Sequence, residues 1–237
     1  MTNWLQRTEL LVGEEGIQKL KNAHVLVVGL GGVGGYAAEQ ICRAGVGTMT
    51  LVDGDVVEET NRNRQLIALK SNEGRPKAEI LAERFRDINP EIILHIVNHY
   101  LEEDEIVNLL NAGSYDYVVD AIDTLSPKAI LIEKTLKAGY PLISSLGAGG
   151  KFDPSQATVA DISKTYNCKL ARQLRKRLGK IGITKGFDTV FSAEFVDGEK
   201  VIAVQGKNKA STVGTISYMP PIFGILCASV VIRNILK

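Results

Sequence analysis

A glycine-rich segment near the N-terminus constrains the fold of this chain more than any other feature. It follows a short apolar run at 24–28 and precedes an amphipathic run at 36–43. Glycines allow a sharp turn between a buried strand and a helix, and they let the backbone approach a phosphate or ribose closely. The segment therefore predicts a nucleotide-binding turn in a βαβ unit; the alternative is a tight turn that binds nothing. Its glycines are Gly29, Gly31, Gly32 and Gly34.

Short β-branched runs alternate with longer amphipathic runs through the first 150 residues. This alternation is typical of an α/β fold with a doubly wound, mainly parallel sheet. We predict strands at 24–28, 48–52, 92–97, 115–122 and 141–146. We predict helices at 36–43, 75–88, 102–111 and 127–138.

The regular alternation ends at a glycine cluster at 147–150, which frees the backbone to turn sharply. We therefore expect a Rossmann-like nucleotide-binding domain at 1–150 and a small α+β C-terminal extension at 151–237. In the extension we predict strands at 189–192, 200–204 and 212–219. An apolar run at 222–232 predicts a core helix, because its 11 residues fall short of the roughly 20 that a membrane span needs. We expect no integral membrane span, and peripheral membrane association stays open.

Polar residues after the second predicted strand narrow the chemistry. Asp53 ends that strand, where a carboxylate can accept hydrogen bonds from ribose hydroxyls. Arg64 and Lys77 follow, and cations that converge on a triphosphate stabilise the charge on the leaving pyrophosphate. This pattern favours nucleotidyl transfer over an ordinary dehydrogenase; the alternative is a solvated basic loop before an ordinary helix. Further candidate contacts are Asp55, Asn61 and Gln65.

A second acidic pair, Asp120 and Asp123, lies at the end of the fourth predicted strand. Doubly wound folds bind ligands at this edge of the sheet. A carboxylate there can hold a Mg²⁺ ion that phosphates also ligate. The alternative for Asp123 is to cap the following helix, and both roles can coexist.

The balance of charges excludes a surface that is basic throughout. The chain has 28 Lys and Arg against 27 Asp and Glu, so any contact with RNA must be local. The best candidate is the basic segment 164–180; the alternative is an ordinary exposed helix face. Its candidate RNA-binding residues are Lys169, Arg172, Arg175, Lys176 and Arg177.

The three cysteines form neither an even disulfide framework nor a Cys-x-x-Cys pair. That pattern argues for a reducing compartment and against a structural zinc site, so we expect a cytoplasmic location. Cys42 and Cys227 lie in apolar runs and are expected in the core. Cys168 lies among cations, so a nucleophilic or persulfide-carrying role is weighed against an inert thiol.

As a set, these motifs resemble the ubiquitin-activating-type adenylyltransferases, which include activators of sulfur-carrier proteins in molybdopterin and thiamine biosynthesis. They occur in the order typical of that superfamily over about 7–150. The resemblance implies ATP in the crevice, with Asp53 on the ribose, Arg64 and Lys77 on the phosphates, and Asp123 at the Mg²⁺. It also implies a homodimer in which Arg7 reaches the phosphates bound by the neighbouring subunit.

The second half resembles one family within that superfamily, the tRNA threonylcarbamoyladenosine dehydratases. The residues that carry this resemblance lie at 147–154, 160–165 and 190–194. It implies a tRNA bearing threonylcarbamoyladenosine, whose threonyl carboxylate is adenylated by ATP and then cyclised with release of AMP. The chain departs from the pattern at 166–170, where relatives commonly have an acidic residue, proline and leucine. This departure concerns substrate contacts and not the ATP site.

Other functions stay open at this point. The chain could adenylate the C-terminal glycine of a small sulfur-carrier protein, although activators of that kind often carry a zinc ribbon. From a different class, it could be a nucleotide-binding interaction module that serves a cysteine-desulfurase pathway without catalysis. A nicotinamide-dependent dehydrogenase is the remaining competitor.

Overall fold

The computed structural model describes residues 4–196, 201–203 and 211–237. The strands of this part are β1 (His24–Val28), β2 (Thr48–Val52), β3 (Ile93–Val97), β4 (Tyr117–Asp120), β5 (Leu142–Ser145), β6 (Ala157–Asp161), β7 (Asp188–Ser192), β8 (Val201–Ala203) and β9 (Ser211–Val213). The α-helices are α1 (Gln6–Asn22), α2 (Gly34–Arg43), α3 (Lys77–Ile88), α4 (Glu103–Ala112), α5 (Leu125–Lys137), α6 (Lys169–Gly179) and α7 (Met219–Ile235).

Seven strands form one sheet in the order β3-β2-β1-β4-β5-β7-β6. All neighbouring pairs are parallel except β6 and β7. The strand order reverses between β1 and β4, and doubly wound folds bind ligands at that reversal, beyond the carboxyl ends of the strands. The predicted α/β class with a mainly parallel sheet is confirmed, and the first five strands lie within two residues of their predicted bounds.

Helices cover both faces of the sheet. One layer buries Leu20, Ala37 and Phe85, from α1, α2 and α3, against Val25 and Val27 of β1. The opposite layer buries residues of α4, α5 and α6 against the other face of the same strands. Because both faces are covered, the central strands β1, β2, β4 and β5 are buried along nearly their whole length.

The C-terminal part of the chain completes the sheet that the first part begins. Both β6 and β7 come from beyond residue 150, and β7 pairs in parallel with β5. By contrast, β8 and β9 form a separate two-stranded sheet. The predicted strand at 212–219 is wrong beyond residue 213, because 214–218 lead into α7, whose first turn contains Pro220 and Pro221. The outer residues of the predicted strand at 200–204 lie outside the described residues.

Helix α7 is apolar because it packs on β4, β5, β6 and β7 of the sheet and against α2 beside it. A β-carbon at Gly224 would lie 2.3 Å from the carbonyl oxygen of Val33, the residue that precedes α2. Glycine therefore permits the close approach of these two helices. Within the described residues, no helix is long and apolar enough to span a membrane.

We predict that Gly224→Ala lowers the free energy of unfolding by about 1–3 kcal/mol, because the added methyl forces α7 away from α2. The matched control is Gly179→Ala, where a β-carbon would meet nothing within 4 Å. Urea denaturation should show a lower midpoint for the first variant only. Equal midpoints for both variants would contradict this account of the packing.

Candidate functional site

The turn between β1 and α2 brings backbone atoms unusually close together. A β-carbon at Gly34 would lie 1.7 Å from the carbonyl oxygen of Gly29, and one at Gly29 would lie 2.8 Å from that of Ala121. Gly29 also has φ of 87°, a conformation that favours glycine. At Gly31 a β-carbon would meet only the Gln65 amide nitrogen, at 3.6 Å. The turn thus leaves room beside Gly31 for a ligand.

The Asp53 carboxylate holds this turn in place from the end of β2. Its Oδ2 accepts a 2.6 Å hydrogen bond from the backbone N–H of Leu30, and its Oδ1 accepts a 2.8 Å bond from that of Asp55. Burial raises the pKa of Asp53, while nearby Lys77 and the two N–H donors act in the opposite direction. The predicted ribose-binding carboxylate therefore lies directly against the glycine turn.

Lys77 is buried and forms an ion pair with Asp55, with Nζ 2.7 Å from Oδ2. Its backbone N–H also donates to the carbonyl oxygen of Asp55, at 3.1 Å, so the first residue of α3 is fixed to the loop after β2. Two predicted site residues, 22 positions apart, are thus brought together. The Lys77 ammonium lies close enough to Asp53 to oppose the rise that burial causes in the pKa of that carboxyl.

Arg64 borders the turn from the other side. A β-carbon at Gly32 would lie 3.3 Å from Cγ of Arg64, and Nη1 of Arg64 donates to the carbonyl oxygen of Thr60 at 3.0 Å. The neighbouring Gln65 is buried, and its Oε1 has no hydrogen-bond partner among the described residues. A buried amide oxygen without a donor is unfavourable, so this side chain is suited to receive a ligand's hydrogen bond.

The side chain of Asn61 orders its own loop. Its Oδ1 accepts a hydrogen bond from the backbone N–H of Glu58, at 3.2 Å, within a short 3₁₀ turn. Contact of Asn61 with a nucleotide stays a prediction. The structure gives this side chain a role in shaping the loop that carries Arg64.

The structure separates the roles of the two acidic residues after β4. Asp120 is fully buried, and its Oδ2 binds Nζ of Lys128 and Oγ of Ser144, both at 2.6 Å. Its Oδ1 accepts from the backbone N–H of Ile122, at 3.1 Å. Asp120 is thus turned into the protein and away from the open crevice, contrary to its predicted place as a nucleotide contact. The ion pair fixes the start of the loop that carries Asp123.

Asp123 itself is exposed and lies two residues before α5 begins, with Thr124 between them. Both alternatives for Asp123, a Mg²⁺ ligand and a cap of that helix, stay predictions. A tyrosine that sequence reasoning missed lies among the carboxylates. The hydroxyl of Tyr100 donates to Asp55, and this bond is the main electrostatic cause that raises the pKa of Tyr100; Asp53 and Asp123 raise it further. The hydroxyl of Tyr100 thus contacts one carboxylate, Asp55, and lies near enough to Asp53 and Asp123 for their charges to act on it.

Lys128 was also missed by the sequence analysis. The signal was present, because Lys128 lies directly beside Ala129, Leu131 and Ile132, which form the apolar face of α5. A lysine on that face must find a carboxylate partner, since an unpaired buried charge is costly. Asp120, the last residue of the preceding strand β4, is that carboxylate.

Helix α6 carries the predicted basic surface. It buries Ala171, Leu174 and Leu178, and it exposes Lys169, Arg172 and Lys176. The other two predicted cations have partners within the protein. Arg175 donates to the carbonyl oxygen of Thr165 at 2.9 Å, and Arg177 donates to Oγ of Ser126 at 2.7 Å. Because Ser126 belongs to the first turn of α5, the Arg177 contact joins the basic helix to the edge that carries Asp123.

Arg7 and the cysteines lie away from this constellation. Arg7 is exposed on α1, next to Leu5, which packs on Gly45 just beyond the C-terminal end of α2. The glycine turn is at the opposite end of α2, about 15 Å away for ten residues of helix. Cys42 and Cys227 are buried in the core, as predicted. Cys168 is buried too, and its sulfur accepts from the backbone N–H of Ala171 at 3.5 Å.

Comparison with known proteins decides the family of this chain. The model of the ThiF family matches residues 5–237. The chain belongs to the ThiF family. The tRNA threonylcarbamoyladenosine dehydratase of Bacillus subtilis (strain 168) is 40% identical over 245 residues, which cover 100% of this chain and 96% of that protein. The protein of the same name from Escherichia coli (strain K12) is 45% identical over 201 residues, 81% of this chain and 75% of that one.

Solved structures agree with this membership. The E. coli tRNA N6-threonylcarbamoyladenosine dehydratase TcdA in complex with ATP has a TM-score of 0.88 and 38% identity, and the match covers 98% of this chain and 94% of that one. The resemblance to the tRNA threonylcarbamoyladenosine dehydratases, which the sequence motifs indicated, is confirmed. The solved structures with bound ATP and with bound AMP are structures of the E. coli protein.

We predict that Lys128→Met costs about 3–5 kcal/mol of unfolding free energy, because it leaves Asp120 as an unpaired buried charge. The double variant Asp120→Asn with Lys128→Met should recover most of that loss, since neither partner is then charged. Lys134→Met, on the same helix as Lys128, serves as control: it removes a surface pair with Glu103 of α4 and should leave the denaturation midpoint nearly unchanged. Urea denaturation measures all three. A double variant as unstable as the single one would contradict this account.

Proposed function

We propose that this protein is an ATP-dependent tRNA threonylcarbamoyladenosine dehydratase. The observation that carries the proposal is the placement of Asp53, Arg64 and Lys77 around the glycine turn. This placement occurs in a chain with 40% identity to a tRNA threonylcarbamoyladenosine dehydratase over its whole length. On this reading the turn binds ATP, and the activated group is the threonyl carboxylate of the modified adenosine.

The contacts of the site suggest how each side chain acts on ATP. Asp53 is fixed at the end of β2, where a carboxylate can accept hydrogen bonds from the ribose hydroxyls. Lys77 donates to Asp55 in the structure, and a phosphate oxygen can take over that hydrogen bond when ATP binds. Arg64 lies against Gly32, on the other side of the same turn. The two cations stabilise negative charge that moves onto the leaving pyrophosphate.

We propose that Asp123 holds a Mg²⁺ ion together with the phosphates. The described residues contain no cluster of three or more His, Cys, Asp or Glu able to hold a metal by itself. Magnesium usually binds one or two carboxylates, phosphate oxygens and water, and Asp123 offers an exposed carboxylate whose charge acts on Tyr100, the hydrogen-bond partner of Asp55. The ion would neutralise phosphate charge and orient the triphosphate.

The chemistry needs no nucleophile from the enzyme. A threonyl carboxylate oxygen attacks the α-phosphorus of ATP, and pyrophosphate leaves. The acyl adenylate then has a good leaving group, so an atom of the same modified nucleoside attacks the acyl carbon and expels AMP. The carboxylate oxygen departs in the AMP, which accounts for the net loss of water. The site has to hold the two substrates in line and exclude bulk water, and this is the task of positioning residues.

We assign different roles to the two parts of the chain on either side of residue 150. Residues 1–150 would bind ATP, and residues 151–237 would contribute contacts to tRNA and to a second subunit. The predicted tRNA surface is α6, with Lys169, Arg172 and Lys176 exposed toward phosphates. A cytoplasmic location and a link to cysteine-desulfurase or sulfur-acceptor proteins belong to this proposal. Peripheral membrane association has no support in the described residues.

Incubation with ATP, Mg²⁺ and tRNA that bears threonylcarbamoyladenosine tests the proposal directly. The nucleoside should become lighter by one water, and one AMP should appear for each nucleoside converted. Pyrophosphate exchange that requires a small carrier protein and ignores tRNA would favour the sulfur-carrier reaction instead. If the protein binds ATP but forms no AMP, the result would favour a nucleotide-binding interaction module without catalytic activity.

We predict that Arg64→Ala and Lys77→Ala each lower turnover by about two to four orders of magnitude, because each removes charge that stabilises the transition state. The matched control is Arg62→Ala, since Arg62 lies in the same loop but pairs with Glu59 on the surface. Single-turnover assays with modified tRNA give the rates. Near-normal rates for both site variants would contradict the proposal that Arg64 and Lys77 contact the phosphates of ATP.

We predict that Arg7 acts on the site of a second subunit. Arg7→Ala and Lys77→Ala should each be inactive, yet subunits mixed after reversible dissociation should regain about a quarter of wild-type activity, since half of the random dimers then contain one intact site. Sedimentation of the wild-type protein provides the control for a dimer. If mixing restores nothing, the crossing arginine is ruled out.

A further inference from the structure

Two aromatic side chains are exposed at the edge of the sheet where the nucleotide turn lies. Phe152 is 63% exposed and Tyr218 is 36% exposed. Their ring centroids are 6.0 Å apart and their planes meet at 67°, an edge-to-face pair. Neither side chain has a role in the ATP site described above. We refer to Phe152 and Tyr218 as the aromatic pair.

Hydrogen bonds to the backbone hold the aromatic pair in position. The Tyr218 hydroxyl donates to the carbonyl oxygen of Phe152, at 2.8 Å. The carboxylate of Glu194 accepts from the backbone N–H of Phe152 at 2.8 Å and from that of Asp153 at 2.9 Å. An exposed aromatic surface that is fixed in this way loses little conformational freedom when a ligand binds.

The aromatic pair borders the ATP site on one side. Tyr218 precedes α7, and a β-carbon at Gly32 would lie 3.0 Å from Cβ of Pro220 in the first turn of that helix. The side-chain amide of Asn63 donates to the carbonyl oxygen of Thr215 at 3.1 Å. The segment that carries Tyr218 is therefore attached to the loop that carries Arg64.

On its other side the aromatic pair borders the basic helix. Nζ of Lys151, next to Phe152 in the chain, donates to the carbonyl oxygens of Asn167 at 3.2 Å and of Ser192 at 3.3 Å. Asn167 lies two residues before α6 begins. Residues 164–180 contain no Asp or Glu, so the surface that continues from the pair is positively charged.

We propose that the aromatic pair is a stacking platform for an unpaired base of the RNA loop that contains the substrate nucleoside. The proposal rests on the proposed function. Proteins recognise single-stranded RNA by stacking bases on exposed aromatic rings, while cations contact the phosphates. Here the rings lie between the ATP turn and the cations of α6, so one RNA loop can reach all three. The charge of α6 favours RNA over a protein segment as the occupant.

The test measures binding of full-length tRNA bearing threonylcarbamoyladenosine at several salt concentrations, without ATP. Phe152→Ala should weaken binding about tenfold without changing the slope of log Kd against log salt, because stacking releases no counterions. Phe152→Trp should bind like the wild type. The triple variant Lys169→Gln, Arg172→Gln and Lys176→Gln should instead reduce that slope by about two to three. Ile93→Ala removes a side chain of similar exposure on the far edge strand and should change nothing.

Steady-state assays separate this inference from the proposed function. Phe152→Ala should raise KM for tRNA about tenfold and leave KM for ATP unchanged, which also shows that the variant is folded. If the wild type converts the nucleoside but Phe152→Ala keeps its tRNA affinity, or Phe152→Trp binds no better than Phe152→Ala, the stacking platform is overturned alone. If the wild type converts nothing, the proposed function fails first.

Discussion

The close backbone packing at the turn between β1 and α2 is the constraint on which the rest of the site depends. Only glycine fits at position 34, because a β-carbon there would overlap the carbonyl oxygen of Gly29. Gly29 in turn packs against Ala121, so the ends of β1 and β4 and the start of α2 meet at one point. The N-terminus of α2, which attracts negative charge, is thereby directed at the crevice between the two strands.

Carboxylates on two levels support this turn in different ways. Below it, the buried Asp120 pairs with Lys128 and fixes the loop after β4. At the level of the turn, Asp53 binds two backbone N–H groups, while Asp55 is occupied by Lys77. The upper carboxylates surround a space that already carries negative charge. A triphosphate can enter that space only with cations, and for this reason the proposed function assigns Lys77, Arg64 and a divalent metal to it together.

Much of the fold could be predicted from local sequence. The first five strands and helices α2 to α5 were predicted to within about two residues, because apolar runs of strand length are separated by glycine and proline. Helix α1 was not predicted. The pairing of β7 with β5 could not be predicted, since it joins strands more than forty residues apart and leaves no local pattern. The strand expected at 212–219 ends at residue 213, because a proline pair begins helix α7 shortly after it.

Site residues that form an ordered set of motifs along the chain could be predicted. Roles that depend on the orientation of a side chain could not. Lys77 and Asp55 were both named as site residues, and they form an ion pair. Asp120 and Asp123 are only three residues apart, and nothing in the sequence tells which carboxylate turns inward. The bend after β4 determines the orientation: Asp120 is the last residue of the strand and is buried, whereas Asp123 lies beyond the bend. Tyr100 was missed because an exposed tyrosine after a strand carries no distinctive pattern.

The central claim is that the constellation around the glycine turn adenylates a carboxylate of the tRNA nucleoside. It is tested most directly by labelling the threonyl carboxylate of threonylcarbamoyladenosine in tRNA with heavy oxygen and following the label through one turnover with unlabelled ATP. We predict that the AMP released carries one labelled oxygen and that the pyrophosphate carries none. Unlabelled AMP from a reaction that still forms the dehydrated nucleoside would contradict the claim.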